Sequence, residues 1–258
     1  AAVVGAGILA GSTGADAEGR PGAAPLRLLA EGNQAYTAGD VEGALDLALQ
    51  ARALGVNDPV LHFNLGNAQA RAGRLGEAVA SYLRAQRLSP RDDDIKGNLG
   101  WVRRNLKDLE LTEDELPLFI AQAASVVGAF TLDQWGSGLV LAVWIAAGLL
   151  AWAWWRENYG VQLRRLLLGV TALVAVLVVI TAGRWYQEMV IDQAVVTAEV
   201  DVRSGPADNF PVQFKVHDGL TVAIEERRGD WVRIGMGGDW EGWLPVSTVE
   251  SVRLPQGR

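Results

Sequence analysis

The chain has 258 residues, 50% of them hydrophobic and 21% charged, and carries a formal net charge of −7. Cysteine is absent, which excludes disulfides and thiolate metal sites and leaves the redox compartment open. A net acidic chain with no sustained Lys/Arg block lacks the electrostatic footprint of a nucleic-acid binder, so nucleic acid is excluded as a partner.

Residues 1–24 open on "AAVVGAGILAGSTGADA". Ala1 to Ala10 read either as the apolar region of a secretory signal peptide, with Ala15 and Ala17 as the small residues of a cleavage site, or as an Ala/Gly-rich tail.

The next segment repeats itself with one period. Gly32, Gly66 and Gly100 are 34 residues apart, as are Asn33 and Asn67, Gly39 and Gly73, Ala44 and Ala78, Ala51 and Ala85, and Leu54 and Leu88, with Pro90 closing the second unit. This pattern resembles the tetratricopeptide repeat, a pair of antiparallel helices with Leu-Gly in the first, Gly at the turn and Ala in the second. The physical reading agrees: Gly66 and Ala78 permit a close crossing, Gly73 supplies the turn, and Tyr82 fills the space between helices. The first unit is less regular, with Ala48 where the second has Tyr82. A third element, "DIKGNLGWVRRNL", has no partner helix and is expected to cap the stack. The resemblance implies a small superhelix with one concave face, over residues 25–107. It places Leu29, Asn33, Tyr36, Phe63, Asn67, Arg71, Trp101 and Arg104 along that face. Asn is suited to holding the backbone of an extended peptide, the aromatics to flat apolar contact, and Arg71 and Arg104 to a carboxylate. The alternative for Phe63 and Trp101 is packing between helices.

Residues 108–134 form an acidic linker, "DLELTEDELP", followed by "LFIAQAASVVGAFT". The latter is uncharged but short for a bilayer, so it reads as a helix lying in the interface, or as a buried docking helix. Two longer runs follow within residues 135–186. Gly136 to Trp155 has no charge, and Leu166 to Gly183 is bracketed by Arg165 and Arg184. Each is long enough to cross hydrocarbon at about 1.5 Å per residue. Trp135, Trp154, Trp155, Trp185 and Tyr186 gather at the ends, where such rings prefer the headgroup level. The short connection contains Arg156, Arg164 and Arg165, whereas Glu113, Asp114 and Glu115 precede the first run. The positive-inside rule puts the connection in the cytoplasm and both soluble ends outside. Neither run carries an ionisable residue, so they read as an anchor rather than an ion path. Trp144 and Trp152 share one side of the first and suit a neighbouring membrane protein.

Over residues 194–254 the pattern changes to strand alternation. Val200/Val202, Val222/Ile224 and Val232/Ile234 are same-face pairs, with Trp231 on the opposite face of its strand. Turns are expected at 204–206, Asp218-Gly219, 228–230 and Gly237-Gly238. Five or so short strands make a small barrel. "VRSGP", "HDGLTVAIEE", "GDWVRI" and "GWLPVSTVE" resemble the bacterial SH3-like fold. That resemblance makes Trp231 and Trp243 its diagnostic aromatics, as core, rim or ligand contact, puts Asp208, Phe210 and Phe214 in a loop beside the groove, and leaves Trp240 and Trp243 to line an open one.

The order of modules predicts a multi-domain membrane protein: an all-α superhelix, two transmembrane helices and an all-β SH3-like barrel. It is similar to the BatE-type membrane proteins of the Bacteroides aerotolerance family. The resemblance implies an inner-membrane protein with periplasmic domains that helps assemble or stabilise partner proteins.

Enzymatic function is the weakest class. His62 and His217 fall in different modules, no Gly-rich phosphate loop precedes a Lys-Ser/Thr pair, and the carboxylates of "GDWEGW" have no partner base. No cofactor and no metal site is expected. The expected partners are proteins, through the repeat face and the barrel, together with the lipid bilayer. Three readings stand at this point: a membrane-anchored adaptor, a permanent accessory subunit of a large membrane complex, and glycan binding through the barrel.

Overall fold

The computed structural model describes residues 23–106, 118–155, 160–236 and 240–254. The signal-like N-terminus, the acidic stretch at 108–117, Arg156 of the connection and the Gly237-Gly238 turn lie outside the described residues. The remainder forms two compact units, one holding the first five helices and the sheet, the other the apolar helices.

In the first unit, α1 (Ala23–Ala38), α2 (Val41–Ala53), α3 (Pro59–Arg71), α4 (Leu75–Leu88) and α5 (Asp93–Arg104) realise two helix pairs and a cap. Local chemistry sets the ends. Asp40, Asp58 and Asp92 accept from the first free backbone N–H groups of α2, α3 and α5, and Pro59 needs no N–H partner at its position in α3. Gly39 and Gly73 turn between helices at φ 88° and 78°, a conformation that costs other residues strain. Small residues set the crossings: Ala44, Ala48 and Ala51 are buried in the first pair, Ala78 and Ala85 in the second. Tyr82 is fully buried, and a Cβ on Gly66 would lie 2.7 Å from its ring. The glycine therefore exists for the tyrosine. Gly32 faces α2 at looser range, 3.5 Å from the Leu47 Cβ, because no large ring fills that pair.

The sheet has seven strands: β1 (Asp192–Val196), β2 (Val200–Arg203), β3 (Val212–Val216), β4 (Thr221–Arg228), β5 (Trp231–Gly235), β6 (Glu241–Pro245) and β7 (Val249–Ser251), in the order β3-β2-β6-β5-β4-β1-β7. All pairs are antiparallel. Three expectations are corrected. The strands number seven rather than about five. Phe214 lies in β3 rather than a loop, because Val212, Phe214 and Val216 alternate against β2, pairing Phe214 with Val202. The ladder is also not closed, since β3 and β7 end it without pairing to each other. On β5, Val232 and Ile234 are buried while Trp231 and Arg233 are half-buried, the alternation expected of the strand.

The helices and the sheet share a core. Val195 and Val252 pack with Phe63, Val79, Tyr82, Leu99 and Val102. At Gly76 on α4 a Cβ would come within 2.6 Å of the Val196 carbonyl oxygen, so the helix approaches the β1 backbone as closely as glycine permits. Leu106 lies on Gly219, which turns at φ 91°. The sheet thus sits on the second-helix side of the repeats and leaves the first-helix side uncovered by it.

In the second unit, α6 (Leu118–Gly128), α7 (Leu132–Trp155) and α8 (Val161–Trp185) are followed by one π-helical turn (Tyr186–Val190). A reciprocal cap starts α7: the Gln134 N–H donates to Thr131 Oγ1 at 3.3 Å, and the Thr131 N–H donates to Gln134 Oε1 at 3.1 Å. Trp135 Nε1 donates to the Val127 carbonyl at 3.0 Å and its ring meets Phe130 edge-on at 5.4 Å, which fixes the corner between α6 and α7. α7 and α8 pair as a hairpin, burying Ala142 and Ala153 of α7. Both are long and apolar enough to cross a membrane. They start earlier than the apolar runs suggest, so Arg164 and Arg165 ride on the first turns of α8 rather than in the connection. Trp154 and Trp155 are exposed at one end of the hairpin, Trp185 and Tyr186 at the other.

Candidate functional site

The first helices of the repeats, α1, α3 and α5, carry the residues expected on the concave face. Three of those residues, Asn67, Asn33 and Phe63, make contacts inside the fold. Asn67 Oδ1 accepts from Asn98 Nδ2 at 2.8 Å and from the Tyr82 hydroxyl at 2.7 Å, and Asn67 is 5% exposed. Burial raises the Tyr82 pKa well above its ordinary value, so the phenol stays a donor. One repeat earlier, Asn33 Oδ1 accepts from Asn64 Nδ2 at 2.6 Å. Asn64 and Asn98 are themselves one period apart. A ladder of paired amides therefore fastens each first helix to the next, and the sequence contained its signal in that second 34-residue spacing. Phe63 is buried too, tilted against Tyr82 at 6.1 Å between centroids.

The accessible remainder is Tyr36, Arg71, Trp101 and Arg104, with Leu29 and Asn33 half-buried at the first repeat. The Arg71 guanidinium lies over the Tyr36 ring at 4.8 Å and its Nη1 donates to the Tyr36 carbonyl at 3.5 Å, bridging the two repeats. Trp101 is half-buried against the shared core, and Arg104 is exposed on the last turn of α5.

Sequence reasoning missed the ionic contact that holds the sheet on the repeats. Glu250 of β7 accepts from Arg84 Nη1 at 2.7 Å and Arg52 Nη1 at 2.9 Å. Arg84 also donates to the Ser251 carbonyl, and Arg87 donates to the Val252 carbonyl at 3.1 Å and to Gln193 Oε1 at 2.7 Å. Burial works against ionisation of Glu250, but the two guanidiniums outweigh it and hold the carboxyl below its usual range. His62 lies near this cluster, 1% exposed, with Nε2 3.1 Å from Asn57 Oδ1. Burial first, then Arg84 and Arg52, bring its pKa down to about 4, so it is neutral. The available signal was Arg84 itself, a charge on an otherwise buried run that had to find a partner.

On the sheet, Phe214 and Trp240 meet edge-on at 5.2 Å, and Trp240 is exposed. Phe210 covers Gly205, where a Cβ would come within 2.6 Å of its ring, and keeps part of its surface open. Trp243 is buried beneath the Arg228 guanidinium at 5.2 Å, and Trp231 is half-buried on β5. The structure therefore brings Phe214 and Trp240 together and places Trp243 in packing. Among the described residues there is no cluster of three His, Cys, Asp or Glu able to hold a metal ion. In the second unit, an open groove of about 1060 Å³ runs between the first half of α7 and the last turns of α8, lined by Gly136, Val140, Trp144, Val178, Thr181 and Trp185 among others.

Comparison with known proteins agrees with both soluble folds. Residues 59–92 match the tetratricopeptide repeat family, and residues 196–250 match the bacterial SH3 domain family. Against curated proteins the chain finds no match. The chain thus combines a tetratricopeptide repeat, a module that generally mediates protein–protein interaction, and a bacterial SH3 domain with two helices apolar enough to span a membrane.

Proposed function

We propose that this is a membrane-anchored adaptor of the BatE type, which holds a partner protein on the uncovered face of its repeats and so aids assembly or stability of a bacterial inner-membrane complex. One observation carries the reading: repeats and sheet form a single compact unit although the two apolar helices separate them in sequence. Two crossings return the chain to the side it left, so an anchor of this kind is compatible with the joint unit and a single crossing would not be. The arginines around the connection support a periplasmic side for that unit. The protein acts by binding rather than catalysis, with no cofactor.

The open groove and the exposed Trp144 favour a second reading, a permanent accessory subunit bound through its spans. Purification of the full-length chain in mild detergent, with its co-purifying proteins, separates the two. An adaptor loses its partner when Arg71 and Arg104 become Gln and keeps it when Trp144 becomes Ala. The reverse pattern would replace the adaptor with the fixed subunit. Asn67 is unsuitable for this test because its loss would loosen Tyr82. Topology is read on single cysteines, since the native chain has none. Cysteines at Glu31 and Ser247 should react with an impermeant maleimide from the periplasmic side, and one at Glu157 should not.

A further inference from the structure

We infer that the groove between α7 and α8 is a site for one phospholipid whose headgroup carries an ammonium, an inference that rests on the membrane anchor of the proposed function and goes beyond it. The walls change character with depth. Asp133 stands at the start of α7, at the end of the hairpin where α8 finishes on Trp185. Ser137 lies four residues further in from Asp133, and Thr181 four residues further in from Trp185, each about 6 Å deeper at helical rise. Below them Val140, Trp144 and Val178 offer apolar surface alone. A carboxylate, then two hydroxyls, then hydrocarbon is the order that complements the ammonium, the glycerol esters and the acyl chains of a bilayer lipid.

Thr181 supplies an independent sign of a ligand. Its hydroxyl is shielded from water and has no hydrogen-bond partner, whereas Thr171 of the same helix donates to the Leu167 carbonyl at 2.8 Å. A hydroxyl left unmet in hydrocarbon costs free energy, and an ester carbonyl at that depth removes the cost. Length and charge then select the occupant. From Leu132 to Trp144 the groove runs about 18 Å along α7, close to one leaflet of a hydrocarbon core about 30 Å thick. A partner's spanning helix needs a contact through both leaflets, whereas a single lipid fills one. Among the described residues the walls hold one carboxylate and no Lys or Arg, which attracts an ammonium and opposes a headgroup of net negative charge.

The test is native mass spectrometry of the full-length chain in mild detergent, titrated with dioleoyl phosphatidylethanolamine and dioleoyl phosphatidylglycerol in turn. One phosphatidylethanolamine should stay on each chain, held about tenfold more tightly than phosphatidylglycerol. Asp133→Asn should keep a lipid and erase the preference. Val178→Trp, which fills the groove, should release the lipid, and Leu173→Trp, exposed elsewhere on α8, should not. Equal retention of the two lipids, a preference undiminished in D133N, or equal loss from L173W and V178W would reduce the site to the general lipid coat of the helices and overturn the inference. A co-purifying protein that holds the groove in place of lipid, and leaves with V178W, would overturn it in favour of the fixed subunit. A chain that stayed in water without detergent would remove the anchor itself, a failure distinct from any lipid result.

Discussion

Replacing Glu250 by alanine tests how the sheet is held on the repeats. The change leaves Arg84, whose side chain is 8% exposed, inside the protein without its counter-charge. Removing one partner of a buried pair costs about 3–5 kcal/mol, because the remaining charge keeps its desolvation penalty. Arg52 is 35% exposed, so water screens it and its share is at most about 1 kcal/mol. Arg84 also retains the Ser251 carbonyl, which favours the low end, near about 3 kcal/mol for the whole substitution. Against a domain stability of about 5–15 kcal/mol, that is a large fraction. The assay is urea unfolding of the full-length chain in detergent, with hydrogen exchange read separately on α4 and β7. Both elements should lose protection together. A double change, Arg84→Met with Glu250→Leu, should recover most of the loss, since an apolar pair carries no unpaid desolvation. A loss under about 1 kcal/mol, or exchange rising in β7 while α4 stays protected, would refute the view that this ion cluster joins the two into one cooperative unit.

Acid should weaken the protein in two separable stages. His62 binds its proton at pH 6.5 when unfolded and at about 4 when folded, so stability rises with pH across that window. The difference is worth about 3 kcal/mol. His62→Gln should flatten urea midpoints between pH 6.5 and 4. The Glu250 contribution has the opposite charge type but the same direction of loss: it is complete above the ordinary carboxylate value of 4.5 and disappears as pH falls through the lower folded value. A loss below pH 4.5 should therefore persist in His62→Gln. Gly66→Ala should destabilise by about 1–3 kcal/mol through its clash with the Tyr82 ring. Gly97→Ala, in α5 with open space around its Cβ position, should stabilise by up to about 1 kcal/mol, and thermal unfolding of the two variants should move in opposite directions.

The parts legible in the sequence were those set by local geometry. Glycines at a fixed period announced helix crossings and turns, and uninterrupted apolar runs announced the long helices, because each depends on neighbours in sequence. Strand alternation found β2, β4 and β5, where both faces have distinct surroundings. It failed at β3, where Val212, Phe214 and Val216 share one face at the edge of the sheet but only Val216 is buried, so the alternation does not mark a core strand. The site was legible in its residue types but not in their assignments. Asn67 and Phe63 occupy ligand-facing positions of the repeat pattern, yet in this chain the buried Tyr82 takes up both. The period of Asn64 and Asn98 carries the amide ladder, but not the Tyr82 contact, because Ala48 stands at the corresponding place of the first unit. The Arg84–Glu250 contact spans 166 residues of sequence, beyond any local rule.

That long-range contact also bears on why so short a repeat array works. Each repeat leaves an apolar side that a neighbour must cover, and about three are needed for a stable stack. Here two pairs and a single helix leave the outer side of α4 to be covered by something else. Val195 and Val252 fill the place of a missing neighbour, and Gly76 exists to let the β1 backbone reach α4. The sheet is then a structural cap for the repeats as much as a binding module. Its β7 edge is consumed by the arginines of α4, while its exposed aromatics, Phe210 and Trp240, lie outside that contact. The repeats therefore gain their cap only after β7 has reached α4. On the proposed reading, insertion of the two apolar helices with both ends on one side is a precondition for this packing rather than a separate matter of location.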